Sequence, residues 1–273
     1  MLWLKALFLG LLQGVAEFLP ISSSGHLAVF RHVFGLKTDE LGVFFDVMLH
    51  VATLTAVIAV FHKDVLQICK AFGRLFTAKS RESLGKDLSA RLLLLCAVGS
   101  LPLLAAALLH GYVEKLFDSL LFVGFAFLAT GVVLKLSARF QTGKKTAKSA
   151  KVSDALIVGC IQAVAVVPGL SRSGVTITAG FARGLSRDFA VKFSFLLSIP
   201  AVLGAAAIEI VKVFREGVPE GVLGPTLAAM AVAGVAGFFA ISLIRRLVAN
   251  GSFSAFSWYC LCAGAVTLIL SLV

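Results

Sequence analysis

Charge is scarce in this chain. Only 14% of its 273 residues are charged, where a soluble domain carries roughly 25%; 59% are hydrophobic and mean hydropathy is +0.99. One soluble core could not bury so much apolar surface, which excludes an amphipathic soluble bundle. A polytopic helical membrane protein, with lipid covering the excess, remains. Acidic residues are scarcer still, 14 Asp and Glu against 25 Lys and Arg, for a net charge of +11. The basic residues sit in loops between apolar runs, as cytoplasmic loops do, and this distribution argues against nucleic acid as a partner.

Cysteine is sparse and odd in number: Cys69, Cys96, Cys160, Cys260 and Cys262, mostly in apolar runs. They make neither a disulfide framework nor a zinc site. Cys260 and Cys262 are two apart, so a helix points them to different faces. A cleavable leader is not expected, because Gln13 and Glu17 interrupt the first apolar run and no small-x-small site follows.

What the chain does contain is a repeat. Gln13–Leu27, QGVAEFLPISSSGHL, aligns with Gln162–Thr176, QAVAVVPGLSRSGVT, at a constant offset of 149. The alignment pairs Gln13 with Gln162, Ser22 with Ser171, Ser24 with Ser173 and Gly25 with Gly174. Both copies set Ser, Gly and Pro in apolar surroundings, with Glu17 and His26 in the first and Arg172 in the second. Polar groups there are costly unless they serve a site. The two breaks are therefore expected to meet and form one.

Residues 4–18 are apolar with helical period but stop at Pro20 and the serines, short of the roughly 20 residues a span needs. With a second short helix over 25–35 they read as a re-entrant hairpin, its irregular tip sheltered by protein or lining a wet cavity. Spans follow near 41–61, 92–109 and 119–136, with a basic cytoplasmic loop at 62–91 that holds Lys63, Lys70, Arg74, Lys79, Arg81, Lys86 and Arg91. A basic cytoplasmic linker, 137–152, joins the halves 1–136 and 153–273 of a single membrane domain, 1–273. The second half repeats the plan: short pieces at 154–167 and 173–184, then spans near 190–212, 223–244 and 254–273. The expected fold is thus an all-α polytopic membrane protein of two inverted-topology repeats. Each repeat has one re-entrant helical hairpin plus three transmembrane helices, and three being odd, both termini lie outside.

Gln13 and Glu17 are four apart, on one helix face just before the break. A carboxylate in that place demands a cation, a proton or strong donors. A divalent ion shared with a phosphate would satisfy it, since magnesium takes one or two carboxylates plus substrate phosphates; so would an ion pair with Arg172. One of Ser22, Ser23 and Ser24 is expected to cap the following helix, and a hydroxyl near His26 can form a nucleophile and base pair. Arg172, flanked by Ser171 and Ser173 where a half-helix begins, suits phosphate. Asp46 and His50, also four apart, either support the site or form a plain hydrogen-bonded pair.

QGVAEFLPISSSGH, FFDVMLH at 44–50 and PGLSRSGVT together resemble the signatures of the bacterial undecaprenyl-diphosphate phosphatases of the bacitracin-resistance type, over essentially the whole chain. The resemblance implies a multi-pass enzyme of the bacterial plasma membrane that hydrolyses undecaprenyl diphosphate to the monophosphate carrier of cell-wall synthesis. It implies a divalent cation, Mg2+ or Ca2+, and a site open to the outer face. It places functional positions on Gln13, Glu17, Ser23, His26, Ser171, Arg172, Ser173 and Thr176. The roles expected are Ser23 as nucleophile, His26 as base or acid, Glu17 as metal ligand or orienting group, and Arg172, Ser173 and Thr176 as a phosphate clamp. A phosphorylated His26 is the rival intermediate. Gln13 stands where the family also allows Glu, so a metal held by two carboxylates is not expected.

A transporter or channel for an anionic substrate could use the same repeat, though it does not call for Ser, His and Glu beside an Arg; lipid flipping is a conceivable second role. The oligomeric state stays open between a single copy and a homodimer.

Overall fold

Among the described residues, six helices are long and apolar enough to cross a membrane. The computed structural model describes residues 2–35, 38–74, 87–108, 110–140, 143–218 and 220–272. The chain runs α1 (Leu2–Ala16), α2 (Ser23–Val33), α3 (Thr38–Val60), α4 (His62–Arg74), α5 (Leu88–Ala107), α6 (His110–Leu116) and α7 (Leu120–Ser137), then α8 (Val152–Val164), α9 (Arg172–Ala182), α10 (Arg187–Glu216), α11 (Leu223–Ala249) and α12 (Phe256–Leu270). Within these residues the only bridge of strand type is an isolated one between Lys145 and Leu185. The membrane-length segments are α3, α5, α7 with the 3-10 turn that carries it on to Phe140, α10, α11, and α12 together with the 3-10 turn that leads into it from Ser252. At about 1.5 Å per residue, α1 with 15 residues and α8 with 13 are too short for a hydrocarbon core of about 30 Å.

The short helices are held by close backbone packing. α1 lies on α11, α8 on α5, and α7 on α12. A Cβ at Gly10 would stand 2.4 Å from the Ala229 carbonyl oxygen, and one at Gly159 would stand 2.1 Å from that of Gly99. Glycine is required at both, which is how helices associate where lipid removes the hydrophobic drive. The offset of 149 relates these two glycines to each other. Between the short helices and α10, Phe18 meets Phe195 edge to face at 5.3 Å.

Charged residues tie together the helix ends away from the breaks. Asp154, almost fully buried, takes Lys145 and Arg183, both at 2.9 Å. Arg91 donates to the carbonyls of Ala147 and Ala150, and Lys192 pairs with Asp64 at 3.2 Å. Asp87 caps α5 by accepting from the Ser89 N–H at 2.9 Å. That bond first, then Arg74 nearby, holds its carboxyl below the usual aspartate range.

Two elements depart from the sequence reading. The stretch from 62 to 74, read as part of a loop on its charge, forms α4, and the connection between the spans expected at 92–109 and 119–136 forms α6. Ala71 is buried and Val65 and Ile68 pack on the core, spacings of three that a charge count does not register. Lys79, Arg81 and Lys86 lie outside the described residues.

Candidate active site

Each break is built from its local sequence. α1 stops at Ala16, and Pro20, which lacks an N–H and fixes φ, keeps the chain from resuming a helix at once. α2 then starts under a serine cap: Ser22 Oγ accepts from the Gly25 N–H at 3.3 Å. The second break repeats this, Ser171 Oγ accepting from the Gly174 N–H at 3.1 Å. In both, the capping serine lies next to the serine two residues on, at 3.4 Å for Ser22 and Ser24 and 3.3 Å for Ser171 and Ser173.

The breaks touch. A Cβ on Gly25 would come within 2.8 Å of the Gly169 Cα. Ser173 Oγ donates to the Leu19 carbonyl at 3.2 Å, crossing from the second tip to the first. Thr130 of α7 stitches the second tip in place, donating to the Gly169 carbonyl at 3.1 Å and accepting from the Ser171 N–H at 3.0 Å.

Glu17 is the centre of the contact. Arg172 Nη2 donates to its Oε1. Its Oε2 accepts from Ser23 Oγ at 2.6 Å and from Gln13 Nε2 at 3.0 Å, with His50 Nε2 at 3.6 Å. The carboxylate is buried, but both oxygens are satisfied. Two polar atoms here are buried with no hydrogen-bond partner among the described residues: Arg172 Nη1, a donor, and Gln13 Oε1, an acceptor.

The other positions fall in two groups. His26 is buried near the tip, yet its ring nitrogens bond the Ser22 carbonyl at 2.7 Å and the Tyr259 hydroxyl at 2.7 Å. Among the described residues no hydrogen bond joins His26 to Ser23, whose hydroxyl turns to Glu17 instead. The Thr176 hydroxyl is spent on the Arg172 carbonyl at 2.7 Å and Ser194 Oγ at 2.6 Å, so it braces the start of α9. Asp46 and His50 do not pair through their side chains. Asp46 takes Arg31 at 2.7 Å beside a cavity of about 160 Å³ that His32 and Asp118 also line, while His50 reaches Glu17.

Sequence reasoning missed Tyr259, Thr130, Ser194 and Arg31. The hydroxyls lie on helices read as plain spans. A single phenol inside an apolar run was the one available signal for Tyr259.

As for a metal, no cluster of three or more His, Cys, Asp or Glu stands ready among the described residues. Glu17 and the unpartnered Gln13 carbonyl oxygen do fit a hard divalent ion that draws its remaining oxygens from substrate and water.

Six membrane-length helices around a buried Glu–Ser–Arg cluster define a multi-pass helical membrane protein with a polar centre where two helix breaks meet. The family model described as bacitracin resistance protein BacA matches residues 6–266, and the chain belongs to that family. It is similar to a protein of Desulfosudis oleivorans, at 40% identity over 269 residues, 97% of each chain. It is also similar to one of Methanosphaera stadtmanae, at 38% identity over 277 residues, 99% of this chain and 98% of the relative. Both relatives are named undecaprenyl-diphosphatase.

Proposed function

We propose that this protein hydrolyses undecaprenyl diphosphate to undecaprenyl phosphate and inorganic phosphate, in the plasma membrane. The observation that carries the reading is the Ser23 hydroxyl donating at 2.6 Å to a carboxylate that Arg172 also holds. Ser23 Oγ attacks the terminal phosphorus while Glu17 accepts its proton. The phosphoanhydride bond breaks, the lipid monophosphate leaves, and water then hydrolyses the phosphoserine. Arg172 neutralises the transferring group, for which its unpartnered Nη1 is free. A phosphate that draws Arg172 away also leaves Glu17 the better proton acceptor. His26 acts as a base but not on Ser23, in keeping with its bonds away from that hydroxyl: its Nε2 takes a proton from the water that hydrolyses the phosphoserine, while the proton on Glu17 passes to the departing lipid phosphate. Ser22, Ser24, Ser171 and Ser173 shape the two helix N-termini that face the diphosphate. A divalent cation, Mg2+ or Ca2+, held by Glu17 and Gln13, would supply further charge neutralisation to the phosphates.

The same proposal includes the inverted repeat with two re-entrant hairpins, both termini outside and the site open to the outer face. Supporting it are the paired glycines Gly10 and Gly159, the serine caps at Ser22 and Ser171, and the corresponding contacts of α1 with α11 and α8 with α5. Purified protein in detergent with undecaprenyl diphosphate tests the activity. Phosphate release without any gradient is expected, and binding without release would favour transport instead.

A further inference from the structure

His26 is held on every side. Its Nδ1 lies 2.7 Å from the Ser22 carbonyl oxygen, which can only accept, so Nδ1 carries the hydrogen. In the neutral ring Nε2 is then bare, and the Tyr259 hydroxyl stands 2.7 Å from it. The Tyr259 ring also stacks on the imidazole at 5.6 Å and 18°, while Phe127 meets it edge-on at 5.0 Å. Tyr259 comes from α12, 233 residues along the chain.

The backbone leading into this arrangement is strained. Ser22 has φ 67°, and among the described residues it is the one non-glycine at positive φ. In that conformation its carbonyl receives both the His26 backbone N–H, at 3.2 Å, and Nδ1. At the matching tip Ser171 has φ −70°, and Val175 occupies the place of His26. Strain is present where there is an imidazole to fix and absent where there is none, the distribution expected of a functional constraint.

We propose that Tyr259 is a positioning residue of the active site: its hydroxyl donates to His26 Nε2 and fixes the imidazole in the Nδ1–H tautomer, with Nε2 as its one proton acceptor. The inference rests on His26 belonging to the active site. The bland alternative is an aromatic anchor, since Tyr259 is half exposed and its neighbour Trp258 stacks under Lys135 at 4.6 Å. An anchor needs the ring and not the hydroxyl.

Tyr259→Phe, His26→Asn and the double variant, assayed in detergent for phosphate release from undecaprenyl diphosphate, decide it. Tyr259→Phe is expected to lower kcat about tenfold or more with KM within about twofold. In the His26→Asn background it should add almost nothing, because the two residues act as one unit. In 15N spectra of histidine-labelled protein, the Nε2 signal of His26 should move on losing its donor while the thermal transition stays put. Wild-type kcat for Tyr259→Phe beside an inactive His26→Asn overturns the proposal alone, as does an equal loss in both backgrounds. A fully active His26→Asn overturns it together with the placement of His26 in the site.

Discussion

Arg172 and Glu17, 155 residues apart in the chain, form a partly buried ion pair, the carboxylate its buried member, at the point where the two helix breaks meet. Ser23 occupies the carboxylate oxygen that Arg172 leaves. Removing two charges from water is costly, and a salt bridge only partly offsets that cost. In the proposed mechanism this pair trades one partner for a ligand. A diphosphate supplies the anion that Arg172 can turn to.

Losing the guanidinium should have two separable effects. On the proposed mechanism Arg172→Ala removes a transition-state contact, so turnover should fall about 10²- to 10³-fold. It also leaves Glu17 a buried unpaired charge, which should destabilise the protein by about 3–5 kcal/mol. Arg172→Lys restores the charge without the planar fork, and should recover most of the thermal stability but little of the turnover. Measuring kcat and Tm on both variants checks this.

Ser23→Ala should abolish turnover while leaving the fold intact, since the buried hydroxyl contributes one bond to a carboxylate that keeps its other donors. Quenching the wild type in acid during turnover of labelled substrate should trap an acid-stable phosphate ester on Ser23. An acid-labile label, as phosphohistidine gives, would transfer the nucleophile's role to His26.

The close helix contacts make a stability prediction independent of chemistry. Gly159→Ala and Gly10→Ala each force a methyl group against a main-chain carbonyl, at Gly99 and Ala229 respectively. Each should cost about 1–3 kcal/mol, as overpacking does. Thermal unfolding in detergent reads the loss, and the matching glycines should behave alike if the halves are built alike. Gly35→Ala meets no neighbour but has φ 60°, so it should show only the smaller penalty of its backbone.

Chelation should suppress phosphate release, and Mg2+ or Ca2+ should restore it. Because Gln13 Oε1 is buried without a partner, Gln13→Ala should raise the cation concentration needed for half-maximal activity. Gln13→Glu should lower it by adding a second carboxylate. A cation requirement unchanged in both would remove Gln13 from the cation site.

The fold was legible where its signals were local. Pro20 and the serine runs mark both breaks, the offset of 149 marks the repeat, and long apolar runs mark the six spanning helices. Glu17 and Arg172 were legible as charges with no reason to sit in apolar sequence except each other or a ligand. What escaped has one physical cause: it depends on partners brought together by tertiary packing. Nothing near Tyr259 in sequence indicates an imidazole facing it, and nothing near Thr130 indicates that it receives the second tip. The pairing of Ser23 with Glu17 rather than His26 is of the same kind, because residues three apart on α2 could have met and the hydroxyl rotates elsewhere. α4 escaped because its charges were weighed before its period.

The proposed hydrolysis requires both breaks to grip one diphosphate. A structure of the protein bound to a non-hydrolysable methylene analogue of undecaprenyl diphosphate tests that most directly. The terminal phosphorus should lie beside Ser23 Oγ, with Arg172 turned from Glu17 onto its oxygens. A headgroup bound away from either tip, with the Arg172–Glu17 pair undisturbed, would contradict it.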